Sequence, residues 1–117
     1  MYTFVCYDRC GTCRKAEKFL QEHQIAYTKR PIKEEKPTVE ELKEWQAASG
    51  RELRKFFNTS GQLYRSMNIK EQLKTLSDEE IFDLLVQDGM LVKRPVLVGE
   101  GLVLIGFNED EWSEKLL

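Results

Sequence analysis

The sequence predicts an α/β fold in the order β-α-β, a helical insertion, then β-β-α, and three observations carry that prediction. The chain opens on a short β-branched and aromatic run, Tyr2 to Cys6, which gives way to a helical period. Its middle contains two helix-start signatures, Thr38 with Glu41 and Ser77 with Glu80. Its tail holds two apolar β-branched runs on either side of Gly99-Glu100-Gly101, the pattern of an antiparallel hairpin.

Taken in order, Tyr2 to Cys6 fits a strand that reaches the buried centre of a sheet. Ala16, Phe19, Leu20 and His23 then fall at i, i+3, i+4 and i+7, which marks one face of a helix from about Gly11 to His23, with Arg14, Lys15 and Lys18 outward. Ile25 to Arg30 reads as a second strand, and Pro31 and Pro37 bracket a charged connector. From Thr38 a helix runs to Ser49-Gly50, where glycine permits a left-handed stop. Leu53, Phe56 and Phe57 form a shorter helical stretch, and Asn58-Thr59-Ser60-Gly61 is loop chemistry. After Ser77, the positions of Ile81, Leu84 and Leu85 give another amphipathic helix, closed at Asp88-Gly89. Val96 to Val98 and Leu102 to Ile105 are the hairpin strands, and Asn108 with Glu111 opens a last helix, Glu109 to Leu116, that packs Trp112 and Leu116. This order defines a thioredoxin-like, or glutaredoxin-like, sheet flanked by helices. One domain over residues 1–117, with the helical insertion at about 38–88, is expected.

The composition narrows the function. Of the 117 residues, 41% are hydrophobic and 32% charged, the balance of a globular protein with a core of its own. A net charge of −2 gives no bulk attraction to nucleic acid, so direct nucleic-acid binding is not expected. No apolar run approaches the roughly 20 residues of a membrane helix. Met1 to Cys6 lacks the basic flank and long apolar stretch of a secretory signal, so a cytoplasmic location is expected.

All three cysteines fall within Cys6-Tyr7-Asp8-Arg9-Cys10-Gly11-Thr12-Cys13, a poor framework for tying distant parts of a fold together. Such clustering suggests chemistry. Cys10 sits where the first strand hands over to the first helix, so the unpaired amides of the opening turn point toward it. With Arg9 and Arg14 nearby they favour thiolate over thiol, and only the thiolate attacks sulfur. Cys13, three positions on, shares the helical face at roughly 5 to 6 Å, inside the Cα separation that a disulfide allows, and can resolve an adduct on Cys10. Gly11 suits close backbone approach and Thr12 can bond locally, so both are assigned to the anion-binding turn. A Cys-x-x-Cys pair is also half a zinc site, but the other ligands would have to be Cys6 and His23, and no second pair exists; no metal is expected. Cys6 reads as a core residue and His23 as structural or an incidental surface residue.

Three segments resemble the arsenate reductase family, including its Spx-type relatives: Cys10-Gly11-Thr12-Cys13-Arg14-Lys15-Ala16, Arg54-Lys55-Phe56-Phe57-Asn58-Thr59-Ser60-Gly61, and Asp88-Gly89-Met90-Leu91-Val92-Lys93-Arg94-Pro95. The resemblance implies a thioredoxin-like fold with a helical insertion, Cys10 as nucleophile, and Arg54 and Arg94 as oxyanion-binding side chains. Arginine suits that task because its planar fork holds oxyanions bidentately. It also implies a cis Arg94-Pro95 bond facing the reactive cysteine, with Arg14 and Pro95 supporting the site. The chain departs from arsenate-reducing members where Gly106 replaces a third arginine, where Cys6, Tyr7 and Asp8 replace histidine, asparagine and proline, and where Cys13 replaces serine. One oxyanion donor is lost and one resolving thiol gained, which counts against arsenate as the substrate.

Two functions follow from these residues. The first is an oxidoreductase with no bound cofactor, acting on an oxyanion or a glutathionylated or disulfide substrate, with glutathione, glutaredoxin or thioredoxin as reductant. The second is a regulator in which a Cys10–Cys13 switch controls docking on the RNA polymerase α-subunit.

Overall fold

The handover from the first strand to the first helix fixes the position of everything near the cysteines. In the computed structural model, which describes residues 1–117, β1 (Tyr2–Cys6) leads into α1 (Gly11–Glu22), and the chain returns in β2 (Tyr27–Pro31), parallel to β1. On the other side of β1 lies antiparallel β3 (Val96–Gly99), followed by antiparallel β4 (Leu102–Ile105), so the sheet order is β2-β1-β3-β4. The chain ends in α6 (Glu109–Leu116). The order and the thioredoxin-like arrangement are those the sequence predicts.

β1 has a neighbour on each side, as its apolar run requires. β2 is an edge strand, and Pro31 at its end needs no ladder donor. It begins at Tyr27 rather than Ile25 because Gln24 turns left-handed (φ 56°) and the Ile25 N–H donates back to the Leu20 carbonyl at 2.9 Å, closing α1. The hairpin pairs Gly99 with Leu102, leaving Glu100 and Gly101 as a two-residue loop, both with positive φ (53° and 74°), the form that matches strand twist.

Strand alternation sends Phe4 and Cys6, Leu97 and Leu104 to one face. There they pack with Cys13, Ala16, Phe19 and Leu20 of α1 and Trp112 of α6. Phe19 and Trp112 meet edge to face at 6.0 Å, and the Trp112 indole N–H donates to the Gly106 carbonyl at 3.1 Å, so this fully buried ring leaves no polar group unpaired.

The chain forms two compact units, Met1–Pro31 with Arg94–Leu117, and Ile32–Lys93. The second unit holds α2 (Val39–Ser49), α3 (Gln62–Ser66), α4 (Ile69–Gln72) and α5 (Asp78–Leu85), with 3-10 turns at Leu53–Phe56 and Gly89–Leu91. Thr38 with Glu41 and Ser77 with Glu80 form reciprocal capping boxes, and Gly50 ends α2 at φ 68°. Each box satisfies amides that a helix start leaves open. Asp88-Gly89 does not close α5, which stops at Leu85; instead the Asp88 carboxylate accepts from the Met90 N–H at 2.8 Å and opens the second 3-10 turn. Gly89 is there for space: a Cβ on it would strike the carbonyl oxygen of Ile32.

Candidate active site

Cys10 is the N-cap residue of α1, with extended backbone (φ −92°, ψ 120°), and its side chain closes no cap hydrogen bond. The loop that presents it is tied at several points. The Cys10 N–H donates to the Tyr7 carbonyl at 3.0 Å, Arg14 Nε donates to the Asp8 carbonyl at 3.2 Å, and Lys29 of β2 reaches the Asp8 carboxylate at 3.2 Å. Cys10 is half-buried, while Cys6 and Cys13 are each only 3% exposed. All three thiols are free, and Cys10 and Cys13 are neighbours without being bonded.

The neighbours of these sulfurs separate their acidities. Burial works against ionising Cys10, but it is outweighed by the Cys13 backbone N–H and thiol, which direct protons at the Cys10 sulfur, and by hydrogen bonding and charge from the Arg94 guanidinium; the net shift is downward. Burial pushes Cys13 up to about 12, against a hydrogen bond from the Tyr7 N–H to its sulfur at 3.4 Å, and a charged Cys10 raises it further. Cys6 is held at about 11, chiefly by burial. One thiol of the three is therefore prepared to carry charge, and it is the accessible one.

Arg94 supplies the local cation. Its guanidinium carbon stacks over the Tyr7 ring at 5.2 Å, and Nε and Nη1 are buried without an acceptor, so part of its donor set is unspent. The Arg94-Pro95 bond is cis, as the family resemblance implies. The Pro95 carbonyl accepts from the Gly106 N–H at 2.7 Å. Gly106 has φ 74°, a conformation that resists a side chain, so the position that offers a third arginine in arsenate-reducing relatives is here shaped for glycine.

Two of the assigned turn residues behave differently from their expectation. A Cβ built on Gly11 meets nothing within 4 Å, so no close protein neighbour requires glycine here. Thr12 is exposed, and its side chain makes no hydrogen bond within the protein. Arg14 acts on the loop backbone through Asp8. Arg54 belongs to the other unit, where it is exposed on the first 3-10 turn and lines a cleft. His23 is exposed and rests on Phe19 at 4.4 Å between ring centres. Sequence reasoning missed Tyr7 as the platform for Arg94 and Lys29 as the clamp on Asp8. An aromatic residue three places before a reactive cysteine is the only signal that pointed to the former.

The model of the ArsC family matches residues 6–115. YusI of Bacillus subtilis, an uncharacterized protein, is 48% identical over 113 residues, covering 97% of this chain and 96% of YusI. Global transcriptional regulator Spx 2 of Bacillus cereus is 32% identical over 102 residues, covering 87% of this chain and 76% of the regulator. A crystal structure of an ArsC-family-related protein from Bacteroides fragilis superposes with a TM-score of 0.92 at 47% identity, covering 97% of each chain. With its strand order, its cysteine at the start of α1 and its cis proline, the chain belongs to ArsC, the arsenate reductase family.

Proposed function

We propose that this protein is a thiol-disulfide oxidoreductase of the ArsC family in which Cys10 is the nucleophile and Cys13 the resolving thiol. The observation that carries the reading is the half-buried residue Cys10 at the N-cap of α1, its sulfur faced by the Cys13 N–H and by Arg94 while the other two cysteines are buried.

In the proposed cycle the Cys10 thiolate attacks a sulfur of a glutathionylated or other disulfide substrate, forming a mixed disulfide and releasing the substrate thiolate. Cys10 then no longer carries charge, which removes one of the causes that keep Cys13 protonated. Cys13 attacks Cys10 Sγ, the Cys10–Cys13 bond forms, and the second thiol departs with the Cys13 proton. Glutathione, glutaredoxin or thioredoxin restores both thiols at the cost of its own oxidation. The unspent donors of Arg94 give an oxyanion substrate a point of attachment. No helix of the chain is long and apolar enough to cross a membrane, and the reducing cytoplasm is where such a thiol would work. The test is steady-state reduction of a glutathionylated peptide and of arsenate by wild type and Cys10→Ser; turnover indifferent to the substitution sinks the reading.

A second reading is favoured by the Spx 2 relative: a regulator whose Cys10–Cys13 redox state governs docking on the RNA polymerase α-subunit. Retention on the C-terminal domain of that subunit, compared for oxidised and reduced protein, decides it; equal or absent retention removes it.

A further inference from the structure

The helical unit contains a cleft of about 410 Å³ whose lining is unusually basic: Arg54, Lys55, Lys70 and Lys93 against the single carboxylate of Glu52, with Tyr64 on its wall. None of these four cations forms an ion pair, whereas Lys43 and Lys74 of the same unit are paired with Glu79 at 3.2 Å and Glu71 at 3.0 Å. Four like charges gathered around one concavity repel one another, and the single carboxylate of Glu52 offsets only part of that cost.

The cleft is also built in advance. The segments carrying Arg54 and Lys55 on one side and Lys93 on the other are pinned by a short antiparallel pairing: the Lys93 N–H donates to Phe56 at 2.6 Å, the Asn58 N–H donates to Leu91 at 2.8 Å, and Phe57 bridges to Val92. The Tyr64 ring is held by contact with Phe57 at 6.0 Å. The segments that carry Arg54, Lys55 and Lys93 are therefore fixed relative to one another by backbone bonds, so a ligand need not order them.

We propose that this cleft binds a small molecule carrying two adjacent phosphate groups. Two linked phosphates bring roughly three negative charges at pH 7, which matches four cations less one carboxylate. A lone carboxylate would leave most of that charge unanswered. A nucleic-acid backbone calls for a stripe of basic residues, and the chain's net charge of −2 opposes it. The volume lies within the usual range for small-molecule sites, which runs from about 300 to 1,000 Å³. No cysteine lines the cleft, so ligand binding there can be read apart from Cys10 turnover.

The test is calorimetric titration of the full reduced chain at low salt with inorganic pyrophosphate, adenosine diphosphate, citrate and a single-stranded DNA oligonucleotide. Pyrophosphate or adenosine diphosphate is expected to bind with a dissociation constant below about 1 mM, weakening as salt screens the cations. The exposed pair Lys70→Ala with Lys93→Ala should cost roughly tenfold or more in affinity, and Cys10→Ser should leave it unchanged. Tighter binding of pyrophosphate identifies an inorganic source, and tighter binding of adenosine diphosphate a nucleotide. The proposal is overturned if neither diphosphate binds, if the double variant keeps full affinity, if citrate binds as well as pyrophosphate, or if only the oligonucleotide binds.

Discussion

The start of α1 and the cleft of the helical unit present two opposite ways of handling charge. Around Cys10 the charge does not exist until the protein makes it: an N–H group, a thiol and a guanidinium converge on one sulfur and lower its proton affinity, while burial keeps its two neighbours neutral. Around Lys70 and Lys93 the charge is permanent, exposed and without an internal partner. The difference teaches that the first region is a reactive centre that should respond to pH, and the second a binding surface that should respond to salt.

The largest break in that comparison is Cys10→Ser. A hydroxyl in place of the thiolate should lower thiol-dependent turnover by about two orders of magnitude or more, measured with a glutathionylated peptide, and should leave the fold intact by circular dichroism. Next comes Gly89→Ala, which tests the helical unit alone. Its Cβ would collide with the Ile32 backbone, and chemical denaturation should show a loss of about 2 kcal/mol or more. Arg94→Ala should sharpen the first region by raising the pKa of Cys10 toward that of a free cysteine. Alkylation of Cys10 at neutral pH should slow several-fold as a result, about what one lost charge-assisted contact supplies.

The smallest effect concerns pH and stability. Cys6 and Cys13 are held at about 11 and 12 in the fold, above their ordinary value of 9.0, so the folded chain keeps protons that the unfolded chain releases. The stabilisation from their neutral burial is complete below pH 9 and is lost as pH rises through 11 to 12. Denaturant midpoints should fall over that range, and less steeply in Cys13→Ala than in wild type.

Much of the architecture was legible because it is encoded locally. Capping boxes at Thr38 and Ser77, the left-handed stop at Gly50 and the Gly-rich hairpin each announce themselves within a few residues. The stretch Gln62–Gln72 was silent because α3 buries none of its residues and α4 buries only Ile69, too little for a periodic signal. Gly89 was read as a helix stop because a glycine needed for close approach looks the same in sequence as one needed for its torsion. Within the site, Cys10, Cys13 and the nearby Arg14 could be read from their spacing, and Arg54 and Arg94 only from family likeness. The stacking of Arg94 on Tyr7 and the grouping of Lys55, Lys70 and Lys93 join residues far apart in the chain, and no local pattern encodes such meetings.

The central claim is that one thiol of three is held ready to ionise by its surroundings. The most direct measurement is the pH dependence of iodoacetamide labelling at each cysteine, read by mass spectrometry beside a free-cysteine peptide. Cys10 should label with an apparent pKa below that of the peptide, while Cys6 and Cys13 stay protected past pH 9. Labelling of Cys10 at or above the peptide's value, or equal labelling of all three thiols, would contradict the account.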